Sequence, residues 1–178
     1  MTSPNRFAFP LAAPSRPQLA ALRLLLLVLA CLTFPSLARA DRGRESMGTL
    51  SVRLIHATNT SPSKNGVALD DTIIQRLRKD AQLQFQHYRH LGQDRQTLYR
   101  SYENWLQPIR DSKDILLRFE PLGTPSANQS RLDIELWLSQ KKTLKTNATI
   151  THERPLFILG PAWREGRLIL MITLTAAP

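Results

Sequence analysis

The sequence predicts an α+β domain in which one N-terminal strand and one helix pack on a mainly antiparallel, hairpin-rich sheet. Three observations predict it: an alternating segment near the start of the domain, one amphipathic helical stripe after it, and alternating segments separated by turn residues over the rest of the chain. The pattern contains no repeated strand–helix–strand unit. A β-sandwich or a partly closed barrel with one helix is the alternative.

The first strand and the helix are predicted from two different periods. Residues 50–57 alternate apolar and polar side chains, which is typical of a strand. Asp70 or Asp71 then offers a carboxylate that suits a helix N-cap. The apolar residues that follow recur at helical spacing; they are Ile73, Ile74, Leu77, Ala81 and Phe85. They form one stripe, so we expect a helix over these residues that packs on the sheet.

The rest of the chain is predicted to form hairpins. The expected strand pairs are 86–91 with 96–101, 105–109 with 115–121, 132–138 with 143–151, and 155–159 with 167–175. The first pair is assigned because Gly92-Gln93-Asp94 resembles a turn. Leu168–Ile172 is continuously apolar, which predicts a central strand that is covered on both faces.

The N-terminal residues predict a secretory signal peptide. Arginines precede the apolar run Leu24–Phe34, and Ala38 and Ala40 are the small residues before a cut that would leave Asp41 as the new N-terminus. The run is much shorter than the about 20 apolar residues that span a membrane. Cys31 allows an alternative, in which the protein is lipid-anchored.

Three segments follow from this interpretation: a signal peptide at 1–40, a flexible lead-in at 41–48 and a single β-rich α+β domain at 49–178. We therefore expect an exported protein, located in the periplasm or outside the cell. Cleavage removes 40 of the 178 residues, and with them four arginines and no acid, so the formal net charge falls from +10 to +6. It also removes the only cysteine, which excludes disulfides and thiol catalysis from the mature chain.

The remaining basic residues are scattered among polar ones. No contiguous basic stripe with stacking aromatic residues is visible, so we expect no nucleic-acid partner. A basic surface is compatible with an anionic lipid or polysaccharide. The pair His87 and His90 has metal-ligand spacing, but on a strand the two side chains point to opposite faces. We expect no metal and no cofactor, and no catalytic motif is recognised.

His56 and Trp137 are the candidate binding residues. His56 ends the first strand before a long loop, where it could line a pocket. Trp137 shares the polar face of its strand with Asp133 and Glu135, and an exposed tryptophan among charges could bind a sugar or a peptide.

The strand Val52–Thr58, the Asp-led helix and the segment Tyr88-Arg89-His90-Leu91 together resemble uncharacterised exported proteins of Gram-negative bacteria. The resemblance covers most of the mature chain and implies no activity. We interpret the protein as a non-enzymatic binding or structural domain of the cell envelope, with an envelope protein or polysaccharide as partner and no stable membrane span in the mature chain. The alternative is an envelope-polymer hydrolase that uses Asp133, Glu135 or His56 as acid or base.

Overall fold

The computed structural model describes residues 44–60 and 66–176. These residues form nine strands, one α-helix and one short 3₁₀-helix. In chain order the elements are β1 (Ser46–Thr58), β2 (Val67–Ala68), α1 (Asp71–Leu77), the 3₁₀-helix (Ala81–Leu83), β3 (His87–Tyr99), β4 (Asn104–Leu106), β5 (Ile115–Ser126), β6 (Gln129–Leu138), β7 (Lys141–Thr151), β8 (Leu156–Trp163) and β9 (Gly166–Thr175). The predicted cleavage residues Ala38, Ala40 and Asp41, and the alternative anchor Cys31, lie outside the described residues.

Two antiparallel sheets make up most of the described fold. The five-stranded sheet has the strand order β2-β3-β1-β9-β8, and the four-stranded sheet has the order β4-β5-β6-β7. Buried side chains from both sheets form one shared core; they include Leu50, Leu54 and Leu170 from the first sheet and Leu117, Phe119 and Ile134 from the second. Two sheets that enclose a common core are the arrangement of a β-sandwich.

The predicted α+β class is therefore wrong. The inner face of the five-stranded sheet is covered by a second sheet, because β4 to β7 form a sheet of their own and only the β8–β9 hairpin extends the first one. Helix α1 spans only seven residues and cannot form a layer of its own. The alternative of a β-sandwich with one helix describes this arrangement of sheets better.

Helix α1 covers part of the outer face of the five-stranded sheet. Ile73 and Leu77 pack there against Ile55, Ala57 and Ile169. Asp70 is the N-cap residue, as predicted, but its side chain makes no capping hydrogen bond. None of the helices in the described part of the chain is long and apolar enough to cross a membrane.

The helix is shorter than its apolar stripe predicts. It ends at Leu77, and the carboxylate of Asp80 then accepts a hydrogen bond from the Gln82 backbone N–H at 2.9 Å, which starts the 3₁₀-helix. Leu83 reaches the same apolar cluster from this second helix. The apolar positions were thus correctly assigned to the core apart from Ala81, which is exposed.

Three of the four predicted hairpins are confirmed, because β4 pairs with β5, β6 with β7 and β8 with β9, all antiparallel. The prediction of a hairpin at Gly92 is wrong, since β3 runs continuously through it beside β1. A Cβ at Gly92 would collide with the backbone of Pro108, so this glycine permits a close approach between chains instead of a turn. The central position of β9, between β1 and β8, is confirmed.

Candidate functional site

A cleft of about 630 Å³ opens at one end of the sandwich, and we call it the end cleft. Its apolar lining comes from both sheets and consists of Leu91, Ile109, Ile115, Leu138 and Trp163. Its polar lining includes Ser112, Asp114, Ser139 and Arg164. A mainly apolar cavity of this size with a few polar groups is typical of ligand sites.

Trp163 is the most strongly positioned wall of the end cleft. It is the last residue of β8 and pairs with Gly166 across a two-residue turn. The ring of His56 meets it edge-on at 5.2 Å between centroids, and the guanidinium of Arg164 lies 4.2 Å from the ring centroid. Contacts with both neighbours hold the indole in place before any ligand arrives.

His56, a predicted site residue, lies behind this wall and does not line the cleft itself. It is 3% exposed, and neither ring nitrogen makes a hydrogen bond of good geometry with the described residues. Burial lowers the pKa of His56, the Trp163 backbone partly opposes this, and the charge of Arg164 lowers it further. The imidazole is therefore neutral at neutral pH, and it supports the position of Trp163.

The rim of the end cleft is braced by hydrogen bonds. The Gln107 side chain donates to the carbonyl oxygens of Ile109, Arg110 and Ser112, at 3.2, 2.7 and 3.2 Å. The Ser139 N–H donates to the Asp114 carbonyl oxygen at 2.7 Å. In the described part of the chain, no ion pair occupies the Asp114 carboxylate or the Arg164 guanidinium. The rim therefore offers a ligand one charged acceptor, Asp114, and one charged donor, Arg164.

Trp137, the other predicted site residue, lies on the outer face of the four-stranded sheet. Its ring is 6.0 Å from that of Trp105 at an interplanar angle of 52°, and Trp105 is 43% exposed. The Trp137 Nε1 donates to Glu135 at 3.1 Å, and the Lys142 Nζ lies 5.4 Å from its ring centroid. The two indoles form an aromatic pair that is bordered by charges. His56 faces the sandwich interior, so the two predicted residues do not share a site.

Charged side chains next to the aromatic pair form a network across β5, β6 and β7. Arg118 lies 2.6 Å from both Glu103 and Glu120 and 3.3 Å from Asp133. The same network also contains Glu135, Lys142 and Lys145. We call these seven residues the ion-pair network. The hydrogen bond that the Arg118 guanidinium donates to Glu103 is the main cause that raises the pKa of Arg118.

Asp133 and Glu135, the candidate acid/base residues, are almost fully buried within the ion-pair network. Burial alone would raise the pKa of Glu135, but hydrogen bonds from Lys142, Trp137 and Lys145 outweigh it and lower that pKa. A general acid at neutral pH needs a raised pKa. The third candidate, His56, lies on the five-stranded sheet and faces the sandwich interior, whereas Asp133 and Glu135 lie on the outer face of the four-stranded sheet. The structure therefore does not bring the three residues together.

His87 and His90 both lie on β3, three residues apart, which directs them to opposite faces. Among the described residues, no group of three or more His, Asp or Glu side chains is arranged to hold a metal ion. Trp163 and Arg164 were not predicted as site residues from the sequence. The sequence pair Glu165-Gly166, which is typical of a turn, was a usable signal, because binding residues often flank tight turns.

Comparisons of the chain with protein-family models, with curated proteins and with solved structures found no match. The end cleft and the aromatic pair are therefore the features of the described residues from which a function can be inferred.

Proposed function

We propose that the protein is an exported, non-enzymatic binding domain of the cell envelope that holds an apolar side chain of a partner's peptide segment in the end cleft. The observation that carries this proposal is the cleft itself, with its five apolar lining residues and its prearranged tryptophan wall. Export is proposed from the signal-like residues 1–40 and from the resemblance to exported proteins of Gram-negative bacteria.

The lining favours a peptide over a purely apolar ligand. A peptide segment presents an N–H and a C=O group on either side of each side chain. The Asp114 carboxylate can accept from the first and the Arg164 guanidinium can donate to the second. Leu138 and Trp163 then enclose the apolar side chain, and tryptophan and arginine are the residues that most often dominate binding energy.

Phage display tests this proposal. A library of random peptides is panned against the protein, which is purified after expression of the full chain. We expect the enriched peptides to share an apolar anchor residue. Trp163→Ala should weaken their binding at least about tenfold, because central aromatic residues contribute about 2 kcal/mol or more. Trp105→Ala is the matched control, which removes an indole elsewhere. Peptides that bind Trp163→Ala as tightly as the unchanged protein would contradict the proposal.

A second candidate function is the binding of an envelope polysaccharide on the aromatic pair. The exposed ring of Trp105 beside Trp137 favours it, since apolar sugar faces stack on indoles while nearby charged groups bind hydroxyls. Affinity electrophoresis in gels that contain soluble envelope polysaccharide tests it. Here Trp105→Ala should abolish retardation and Trp163→Ala should leave it unchanged. Equal retardation of Trp105→Ala and the unchanged protein would remove this candidate.

The hydrolase alternative has weaker support, since Glu135 and Asp133 are paired with cations. If turnover of an envelope polymer is detected, replacement of Asp133, Glu135 and His56 by Ala should abolish it under this hypothesis. Unchanged turnover in the three variants would exclude the assignment of these residues.

A further inference from the structure

A second pocket, of about 260 Å³, lies beside β1 and β3, and we call it the arginine pocket. It is lined by Ser51, Arg53, Gln93, Asp94, Arg95 and Arg110. Arg53 pairs with Gln93, and Ser51 pairs with Arg95, in the register of β1 and β3. Because directly paired residues point to the same face of a sheet, Arg53 and Arg95 share one face. The loop after β4 adds Arg110.

Among the described residues, the arginine pocket has an excess of positive charge. No carboxylate in the described residues forms an ion pair with Arg53, Arg95 or Arg110. Asp94, the one acid among the described residues that line the pocket, accepts backbone hydrogen bonds from Arg95 and from Gln107, both at 2.8 Å. Its two oxygens are thereby already engaged. Three guanidinium groups therefore border a pocket that contains one carboxylate.

The loop that carries Arg110 is held against β3. The hydrogen bond between Asp94 and the Gln107 N–H attaches its start, and Gly92 lets the Pro108 carbonyl approach the strand closely. The Gln107 side chain then donates to the Arg110 carbonyl oxygen at 2.7 Å. The third arginine is thus placed by specific contacts of the backbone.

We propose that the arginine pocket binds a phosphoryl group, either free as phosphate or carried on a lipid headgroup. Planar guanidinium groups match phosphate oxygens with two hydrogen bonds each, and these bonds are among the strongest in proteins. A water molecule takes about 30 Å³, so the pocket has room for a phosphoryl group and part of its carrier. Three guanidinium groups without an ion-pair partner among the described residues favour a ligand group with two negative charges over a ligand carboxylate with one. This site is separate from the end cleft and does not depend on the function proposed there.

Titration calorimetry with inorganic phosphate, at constant chloride, tests the site in protein purified after expression of the full chain. Arg53→Gln, Arg95→Gln and Arg110→Gln should each lower the affinity about tenfold or more, since a charge-assisted hydrogen bond is lost. Arg110 is exposed, so its variant keeps the test valid if a strand variant fails to fold. The triple variant Arg76→Gln, Arg78→Gln and Lys79→Gln is the control, because it removes three exposed charges on and just after α1.

Flotation with vesicles of equimolar phosphatidylcholine and phosphatidylglycerol distinguishes the two sources. If the unchanged protein and the control bind the vesicles and the three single variants do not, the ligand is a lipid headgroup. If the protein binds phosphate saturably but does not float with the vesicles, the ligand is a soluble phosphate compound. Either result supports the site. Equal losses in the pocket variants and in the control would reduce the effect to net charge and overturn the proposal. Absence of saturable binding in both experiments would overturn it as well.

Discussion

At the scale of single residues, Arg164 combines an unfavourable backbone conformation with a place at the end cleft. Its φ is 51°, a region that side chains other than glycine rarely adopt. Its guanidinium stacks on Trp163, which forms the cleft wall. Glu153 has a similar φ of 60° but makes no such stack. A comparison of variants at these two positions therefore distinguishes the free-energy cost of the positive φ from the stabilisation by the cation–π stack.

Glycine substitutions at these two positions should differ in a defined way. Glu153→Gly should stabilise the fold by up to about 1 kcal/mol, because glycine adopts a positive φ without steric cost. Arg164→Gly should stabilise it less, since it also loses a cation–π contact of about 0.5–1 kcal/mol. Only Arg164→Gly should weaken peptide binding. Urea unfolding and peptide titration measure both effects; a larger gain for Arg164→Gly would show that the stack contributes nothing.

The sequence allowed only part of the candidate sites to be predicted at this scale. His56 and Trp137 were named as candidates from their strand positions. His56 lies behind the tryptophan wall of the end cleft, and Trp137 belongs to the aromatic pair. The arginine pocket was missed because its arginines are far apart in the chain: sheet pairing brings Arg53 and Arg95 together, and the loop after β4 adds Arg110. A single sequence carries no periodic signal for such a meeting.

At the scale of elements, the ion-pair network joins three neighbouring strands of the four-stranded sheet. Arg118→Ala should destabilise the protein by about 3 kcal/mol, because it leaves the buried Asp133 and Glu135 with only the two lysines. Arg131→Ala, on the exposed surface of β6, is the control and should change stability by no more than about 0.5 kcal/mol. Equal midpoints for the two variants in urea unfolding would show that the network is effectively solvated.

The elements that the sequence predicted well have regular alternation and a turn pair between them. β6 and β7 are the clearest case, since Ser139 and Gln140 connect two alternating segments. The predictions failed where the sequence pattern allowed two structures. A glycine can form a turn or permit a close contact, and an apolar stripe can continue as an α-helix or as a 3₁₀-helix. Gly92 serves a close contact and not a turn, and Asp80 starts a 3₁₀-helix where the stripe continues. The second sheet was missed because local patterns do not reveal which face a hairpin covers.

At the scale of the whole molecule, we expect two histidines, the buried His56 and the partly buried His90, to make stability depend on pH. Burial lowers the pKa of His56 and also that of His90, where the charge of Arg53 adds to the effect. The unfolded chain therefore binds protons first as the pH falls through 6.5, the ordinary histidine value. The contribution of the two histidines to the free energy of unfolding is fully present above that pH. It decreases below that pH, with a slope of at most about 1.4 kcal/mol per pH unit for each histidine.

The double variant His56→Leu and His90→Leu should flatten this decrease, measured as urea midpoints between neutral and mildly acidic pH. The carboxylate effect lies lower: the pKa of Glu135 is already below its usual 4.5, so its contribution is lost only as the pH falls further. An undiminished decrease in the double variant above that range would contradict the assignment to the two histidines.

The loop after β4 borders two pockets at once, since Ile109 and Ser112 line the end cleft while Arg110 lines the arginine pocket. A ligand that shifts this loop in one pocket must alter the other, and linkage requires the two affinities to change by the same factor. We expect phosphate affinity, measured with and without saturating peptide, to differ, and Gln107→Ala to remove the difference by releasing the loop. Occupancy of the end cleft by a peptide would then set the affinity of the arginine pocket for phosphate.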